Sequence, residues 1–147
     1  MAGTRAADGC ILGFDFGVRR IGVAVGQRTT RTASSLETVS NGRDPDWDAL
    51  DRLVRDWRPR QLLVGLPVNA EGEETDMSRA ARRFGESLRE RYGLDVSYAD
   101  ERLSSRAAEG RFAELRASGT LRRKHARRLD AMAAQIILES WLESHSV

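Results

Sequence analysis

Three acidic residues stand where a carboxylate could do chemistry: Asp15, Glu101 and Asp130. Asp15 interrupts an apolar run that begins at Cys10, Glu101 follows a predicted strand, and Asp130 falls in the first turn of the last predicted helix. In an open α/β sheet, the ends of neighbouring strands and a helix packed across them converge on one crevice. We therefore expect the three acids to share a site.

Carboxylates gathered in a partly dehydrated cleft repel one another unless a cation lies among them. Oxygen donors without paired histidines or cysteines favour Mg²⁺ or Mn²⁺ over zinc. Such a centre suits phosphodiester hydrolysis, in which one ion polarises a water and a second, about 4 Å away, stabilises the leaving oxygen. Asp15, Glu101 and Asp130 are accordingly predicted to be both metal ligands and catalytic residues.

Each acid also has an ordinary interpretation. Asp15 could accept backbone hydrogen bonds in a turn, and Asp130 could simply favour the positive end of a helix dipole. Glu101 could be a surface carboxylate paired with Arg102, in which case Asp100 would take its place in the site.

Basic residues cluster near the three acids in the sequence. Residues 101–130 hold nine Arg or Lys against four acids, whereas residues 37–76 hold ten acids against five arginines. Positive side chains bind phosphates through salt-dependent, largely sequence-independent contacts, although any single arginine could be a solvated surface charge. The predicted nucleic-acid contacts are Arg19, Arg20, Arg102, Arg122, Arg123 and Lys124.

Five strands and four helices are predicted to position these residues. Two apolar runs flank Gly17, Val18 and Arg19 as in a hairpin, and the continuous apolar run QLLVGLP is typical of a buried central strand. The predicted strands are 10–16, 20–27, 32–39, 61–67 and 94–99. The predicted helices are one capped by Asp44 that ends before Pro59, then 77–92, about 104–115, and about 127–143. Residues 117–126 lack an apolar period and are expected to be mobile.

The order of these elements indicates an α/β domain whose first strands are linked by hairpins and whose later strands are separated by helices. At 147 residues and 40% hydrophobic content, the chain fits one domain over 1–147, with residues 1–9 a flexible N-terminus. The single cysteine, Cys10, excludes a disulfide framework and is expected to be a buried thiol. Without a long apolar run or a signal-like start, the chain is expected to be cytoplasmic and to have no membrane partner.

Four motifs carry a resemblance to a known family. GFDFGVRRIGVAVG, VGLPVNAEG, DERLSS and LDAMAAQIILESWL occur in that order and together span about 11–142. In this respect the sequence resembles the YqgF family, also called the RuvX family, of the RNase H-like superfamily. An Asp-Phe-Gly triplet also occurs in protein kinases, but the Gly-rich loop and His-Arg-Asp segment of kinases are missing here.

The resemblance implies an RNase H-like fold, with a five-stranded mixed sheet whose first three strands are antiparallel, flanked by helices. It also implies a divalent-metal nuclease site of Asp15, Glu101 and Asp130. The function implied is processing of the 5′ end of pre-16S rRNA, with Holliday junction resolution on branched DNA as the alternative. Asn69, which keeps its place in the second motif, is expected to contact nucleic acid. The oligomeric state, monomer or homodimer, is left open.

Departures from the family pattern limit what can be carried over. Val18 stands where the family commonly has threonine, so a hydroxyl contact is missing there. Arg127 replaces a glycine before Asp130, which puts the local chain path in doubt.

Two further hypotheses come from other classes. The first motif is similar to the phosphate-binding hairpin of actin-like and sugar-kinase ATPases, but those proteins need a second domain that 147 residues cannot supply. The chain could also be a nucleic-acid or transcription-complex binding module without catalysis, which would show salt-dependent RNA binding and no cleavage with any divalent ion.

Overall fold

A computed structural model describes residues 9–67, 73–100 and 123–144, which form five strands and three helices. The strands are β1 (Cys10–Phe16), β2 (Arg20–Gln27), β3 (Thr32–Ser40), β4 (Gln61–Leu66) and β5 (Asp95–Asp100). The helices are α1 (Trp47–Trp57), α2 (Asp76–Tyr92) and α3 (Arg123–Ser144). The helix predicted over about 104–115 lies outside the described residues.

The strands form one mixed sheet in the order β3-β2-β1-β4-β5. β1 pairs antiparallel with β2, and β2 pairs antiparallel with β3. β4 lies parallel to β1 on one side and to β5 on the other. The predicted sheet, with its first three strands antiparallel, is confirmed.

Alternation along β1 divides the side chains between two hydrophobic cores. Leu12 and Phe14 belong to the core on one face, together with Leu50 of α1 and Leu88 of α2. Ile11 belongs to the opposite core, which α3 covers with its own apolar residues. Successive side chains of a strand point to opposite faces, so one β1 residue in two faces α3. The members from α3 are Ala134, Ile137, Leu138, Trp141 and Leu142.

The first helix begins two residues later than its predicted N-terminus. Its N-cap is Asp46, not Asp44, and the Asp46 carboxylate accepts a hydrogen bond from the Ala49 amide at 3.2 Å. The prediction was wrong because Pro45 is still part of the connection from β3, where it forms an isolated bridge with Asn41. A proline is favoured at the first helical position, but it is equally compatible with an extended turn.

The other elements follow local signals closely. α2 begins with a capping box of Thr75 and Ser78, and ends at Gly93 in the left-handed conformation, with φ of 65°. α3 begins at Arg123, so residues 123–126 of the stretch expected to be mobile are helical. The helix therefore begins about four residues before its predicted start at 127, because Arg, Lys and Ala have high intrinsic helix propensity even without an apolar period.

Candidate active site

Helix α3 lies directly on β1 and β2 because these strands present glycines to it. A Cβ atom placed on Gly26 would lie 2.8 Å from Leu138, and one on Gly13 would lie 3.3 Å from the same side chain. The closest approach is at Gly22, where a Cβ atom would lie only 1.9 Å from the backbone oxygen of Asp130. The backbone of Asp130 therefore touches the centre of β2.

Asp15 lies opposite this contact. Its Cα pairs with Gly22 across the antiparallel β1/β2 ladder. Residues directly opposite in such a ladder project to the same face, with Cβ positions roughly 5 Å apart. Gly22 faces α3, so the Asp15 side chain leaves the sheet toward the helix turn that carries Asp130. The fold thus puts Asp15 and the turn that carries Asp130 on the same face of the sheet, although 115 residues separate them in the sequence.

Arg20 binds the carboxylate of Asp130. Its Nε donates a hydrogen bond to Oδ2 at 2.6 Å, and the two groups form an ion pair. Arg20 lies two residues before Gly22 on β2 and therefore projects from the same face of the sheet. Both side chains are partly exposed, Arg20 at 37% and Asp130 at 29%. Arg20, which the sequence predicts to contact phosphate, therefore binds Asp130, which the sequence predicts to be a metal ligand.

A buried asparagine holds the turn between β1 and β2. Asn41, at 6% exposure, donates from Nδ2 to the Gly17 carbonyl at 2.6 Å, and its backbone amide donates to the Arg19 carbonyl at 2.8 Å. The Gly17 amide in turn donates to the Arg20 carbonyl at 2.9 Å. Sequence reasoning missed Asn41, because an asparagine after a weak polar strand reads as an ordinary turn residue.

Of the other predicted site residues, some lie within the described residues and some lie outside them. Arg19 is exposed at the tip of the same turn, next to Val18 at 71% exposure. Within the described part of the chain, the Arg19 guanidinium has no ion pair. Arg123 and Lys124 begin α3, of which the backbone is described there. The predicted residues Asn69, Glu101, Arg102 and Arg122 lie outside the described residues.

Asp100 is poorly oriented to replace Glu101. Val96 of β5 belongs to the core on the α1 and α2 side, and Tyr98 packs against that core, whereas Ala99 belongs to the core under α3. Alternation along the strand assigns Asp100 to the side of Val96 and Tyr98, away from Asp130. In residues 9–67, 73–100 and 123–144, no group of three or more His, Cys, Asp or Glu is placed to hold a metal ion.

Two other features of the chain lie away from this site. Cys10 is buried as predicted, its thiol donates to the Trp57 carbonyl at 3.2 Å, and burial raises the pKa of that thiol, which disfavours a reactive thiolate. No described helix is long and apolar enough to cross a membrane.

Comparison with known proteins identifies the family. The family described as "RuvX: Holliday junction resolvase" matches residues 9–144, nearly the whole chain. The chain belongs to the RuvX family. The predicted family is thereby confirmed, and the prediction of a nuclease is confirmed at the level of the RuvX family.

Close relatives carry a consistent name. A protein of Xanthomonas oryzae pv. oryzae (strain PXO99A), named "Putative pre-16S rRNA nuclease", is 47% identical over 142 residues, which cover 96% of this chain and 92% of the relative. A protein of Xylella fastidiosa (strain M23) with the same name is 48% identical over 136 residues, covering 92% of this chain and 88% of the relative.

Solved structures with a similar fold include two resolvases in complex with Holliday junctions. RuvC of T. thermophilus in complex with a Holliday junction substrate has a TM-score of 0.53 at 15% identity, covering 92% of this chain and 94% of RuvC. The fowlpox virus resolvase in complex with Holliday junction DNA has a TM-score of 0.56 at 12% identity, covering 92% of this chain and 97% of the resolvase. These similarities confirm the RNase H-like fold predicted for the RuvX chain.

Proposed function

We propose that this RuvX protein is a divalent-metal-dependent endonuclease that processes the 5′ end of pre-16S rRNA. The observation that carries the proposal is the contact of α3 with β2 at Gly22, which brings the Asp130 turn to the face from which Asp15 projects. The name shared by the relatives supports pre-16S rRNA as the substrate. The relatives are bacterial, and bacterial rRNA precursors lie in the cytoplasm, so we propose that the protein acts there.

The donor chemistry of the site fits Mg²⁺ or Mn²⁺. Asp15 and Asp130 supply carboxylate oxygens, which both ions prefer, and Asp130 already accepts a positive group, the Arg20 guanidinium. Glu101, directly after β5 in the sequence, is proposed as the third ligand. When bound, a divalent ion would activate a water and neutralise charge on the scissile phosphate.

Substrate binding is assigned to arginines around the three acids. Arg19 is exposed at the tip of the turn that follows Asp15, within reach of a phosphate backbone that passes the site. Arg123 and Lys124 begin the helix that carries Asp130. We propose that these residues, together with Asn69, Arg102 and Arg122, hold the RNA, and that affinity therefore falls as salt concentration rises.

The decisive test compares Asp15→Asn with the wild type on a 5′-extended 16S precursor in the presence of Mn²⁺. The substitution removes a charged ligand without changing side-chain shape, so the cleavage rate should fall at least about a hundredfold while RNA affinity changes little. Asp56→Asn, on the exposed surface of α1, is the matched control and should cleave normally. EDTA should abolish cleavage, and added Mn²⁺ or Mg²⁺ should restore it.

Two results would redirect the proposal. Cleavage by Asp15→Asn at the wild-type rate, or cleavage without metal, would exclude the proposed centre. Salt-dependent RNA binding without cleavage under any divalent ion would instead indicate a binding module.

A second candidate substrate is branched DNA. The family description favours it. The two resolvases with bound junctions are below 16% identical and inform on fold alone. Incubation with a four-way DNA junction beside the RNA precursor separates the two candidates. Resolution of the junction with no cleavage of RNA would assign the site to DNA.

A further inference from the structure

We propose that Arg20 is a positioning residue that holds the Asp130 carboxylate in the site and, as a fixed positive charge, limits how tightly the site binds a divalent cation. The inference rests on the proposed metal site. It gives Arg20 a different role from the phosphate contact that the sequence predicts.

The ion pair joins the two elements that carry the acids. Arg20 and Asp130 are 110 residues apart, and their bond at 2.6 Å links β2 to α3. Both ends are fixed through the backbone, because the Arg20 carbonyl accepts from Gly17 and the Asp130 carbonyl touches Gly22. Reorienting the carboxylate therefore means breaking this hydrogen bond, since neither backbone can easily follow.

The geometry of the bond leaves room for a metal ligand. Arg20 uses Nε and contacts one carboxylate oxygen, Oδ2. A carboxylate has two oxygens and about four lone-pair positions, so Oδ1 of Asp130 can turn to a cation while Oδ2 stays bound. In the absence of metal, the guanidinium also offsets the repulsion between the carboxylates of Asp15 and Asp130.

The same positive charge must oppose a divalent cation nearby. A guanidinium and a divalent ion roughly 6–8 Å apart at a solvent-exposed site repel by an amount that corresponds to a severalfold to about tenfold change in affinity. Loss of Arg20 should therefore strengthen metal binding and weaken catalysis, because the carboxylate is no longer held. General structural damage would weaken both, and loss of a phosphate contact would leave metal affinity unchanged.

The experiment measures Mn²⁺ affinity from the electron paramagnetic resonance signal of the free ion, without RNA, and separately the kcat and KM of cleavage. Arg20→Met should bind Mn²⁺ about three- to tenfold more tightly and have a kcat at least about tenfold lower. Arg20→Lys, which keeps the charge, should restore wild-type Mn²⁺ affinity and part of kcat. Arg20→Gln, a second variant that keeps a donor without the charge, should also bind Mn²⁺ more tightly.

Arg19→Met is the matched control, because it removes an exposed arginine from the same turn. Its Mn²⁺ affinity should stay within about twofold of the wild type, while KM for RNA rises. Far-ultraviolet circular dichroism of every variant checks that the fold is intact.

The outcomes separate this inference from the proposed function. Wild-type Mn²⁺ affinity in both Arg20→Met and Arg20→Gln, or weaker affinity in both, would overturn the role of Arg20 and leave the metal site standing. A raised KM as the sole change would indicate that Arg20 contacts phosphate, as the sequence predicts. Failure of the wild-type chain to bind Mn²⁺ would overturn the metal site and this inference together.

Discussion

Substitution of Gly22 by alanine tests how the position of α3 determines the site. The added Cβ would lie 1.9 Å from the Asp130 backbone oxygen, whereas real Cβ atoms essentially never come within 3.0 Å of another heavy atom. The helix turn must therefore withdraw by at least about 1 Å. The obstacle is backbone, so no flexible side chain can give way. Leu138, fitted against Gly26 two turns later, restrains the helix from tilting.

The expected loss can be estimated from two opposing effects. Forcing an extra methyl group into a packed contact costs about 1–3 kcal/mol. Alanine also restricts the unfolded chain more than glycine does, which returns about 0.4–1 kcal/mol. Overpacking is the larger effect over most of these ranges, so the free energy of unfolding should fall by up to about 2.6 kcal/mol. A displacement of about 1 Å at a reacting group can reduce the rate about a hundredfold, so catalysis should suffer more than stability.

Gly42→Ala is the matched control, because nothing lies within 4 Å of its Cβ position. Urea denaturation gives the free energy of unfolding for both variants, and single-turnover cleavage gives the chemical rate. If Gly22→Ala matches Gly42→Ala in stability and rate, the inferred contact does not exist. If Gly22→Ala is destabilised but cleaves at the wild-type rate, the helix position is not coupled to catalysis.

Two further predictions concern stability. Leu138→Ala removes a fully buried side chain between two glycines and should lower the free energy of unfolding by about 2–5 kcal/mol in urea denaturation, and a loss below about 1 kcal/mol would contradict the described packing. Asp51 accepts a bidentate hydrogen bond from Arg91, which holds the pKa of Asp51 well below its ordinary 3.8. The contribution of this ion pair to the free energy of unfolding is therefore complete above pH 3.8 and is lost as the pH falls below that value. Asp51→Asn should therefore lose less stability at low pH than the wild type or Asp56→Asn, as measured by thermal unfolding from pH 2 to pH 6.

The bounds of the strands could be predicted closely because each strand has a local sequence signal. β1, β2 and β4 are apolar runs bounded by turn residues, and each strand was predicted to within one residue at either end. The start of α1 was less predictable, since Asp44, Pro45 and Asp46 all fit a helix N-terminus, and pairing between Pro45 and Asn41 decides the matter. That pairing joins residues only four apart, so the turn and the helix N-terminus compete for the same few residues, and the residue types alone do not rank the three candidates.

The candidate site was likewise predictable from the sequence only in part. Asp15 and Asp130 could be selected because one lies at a strand end and the other at the predicted start of a helix, where burial alone does not explain a carboxylate. The ion-pair partner of Asp130 could not be selected from the sequence, because several arginines near the acids are equally suitable by residue type. Gly22 and Asn41 gave no chemical signal. Gly22 acts by lacking a side chain that would collide with the Asp130 backbone, and Asn41 acts by donating a hydrogen bond to the Gly17 carbonyl.

The glycines beneath α3 bear on how function in this protein should be mapped. Alanine scanning deletes side chains and records what is lost, so it treats a glycine as having nothing to delete. Here the position of the Asp130 turn over β2 depends on the Cβ atom that Gly22 lacks. A survey that adds methyl groups along β1 and β2 would reveal determinants of catalysis that deletion leaves undetected.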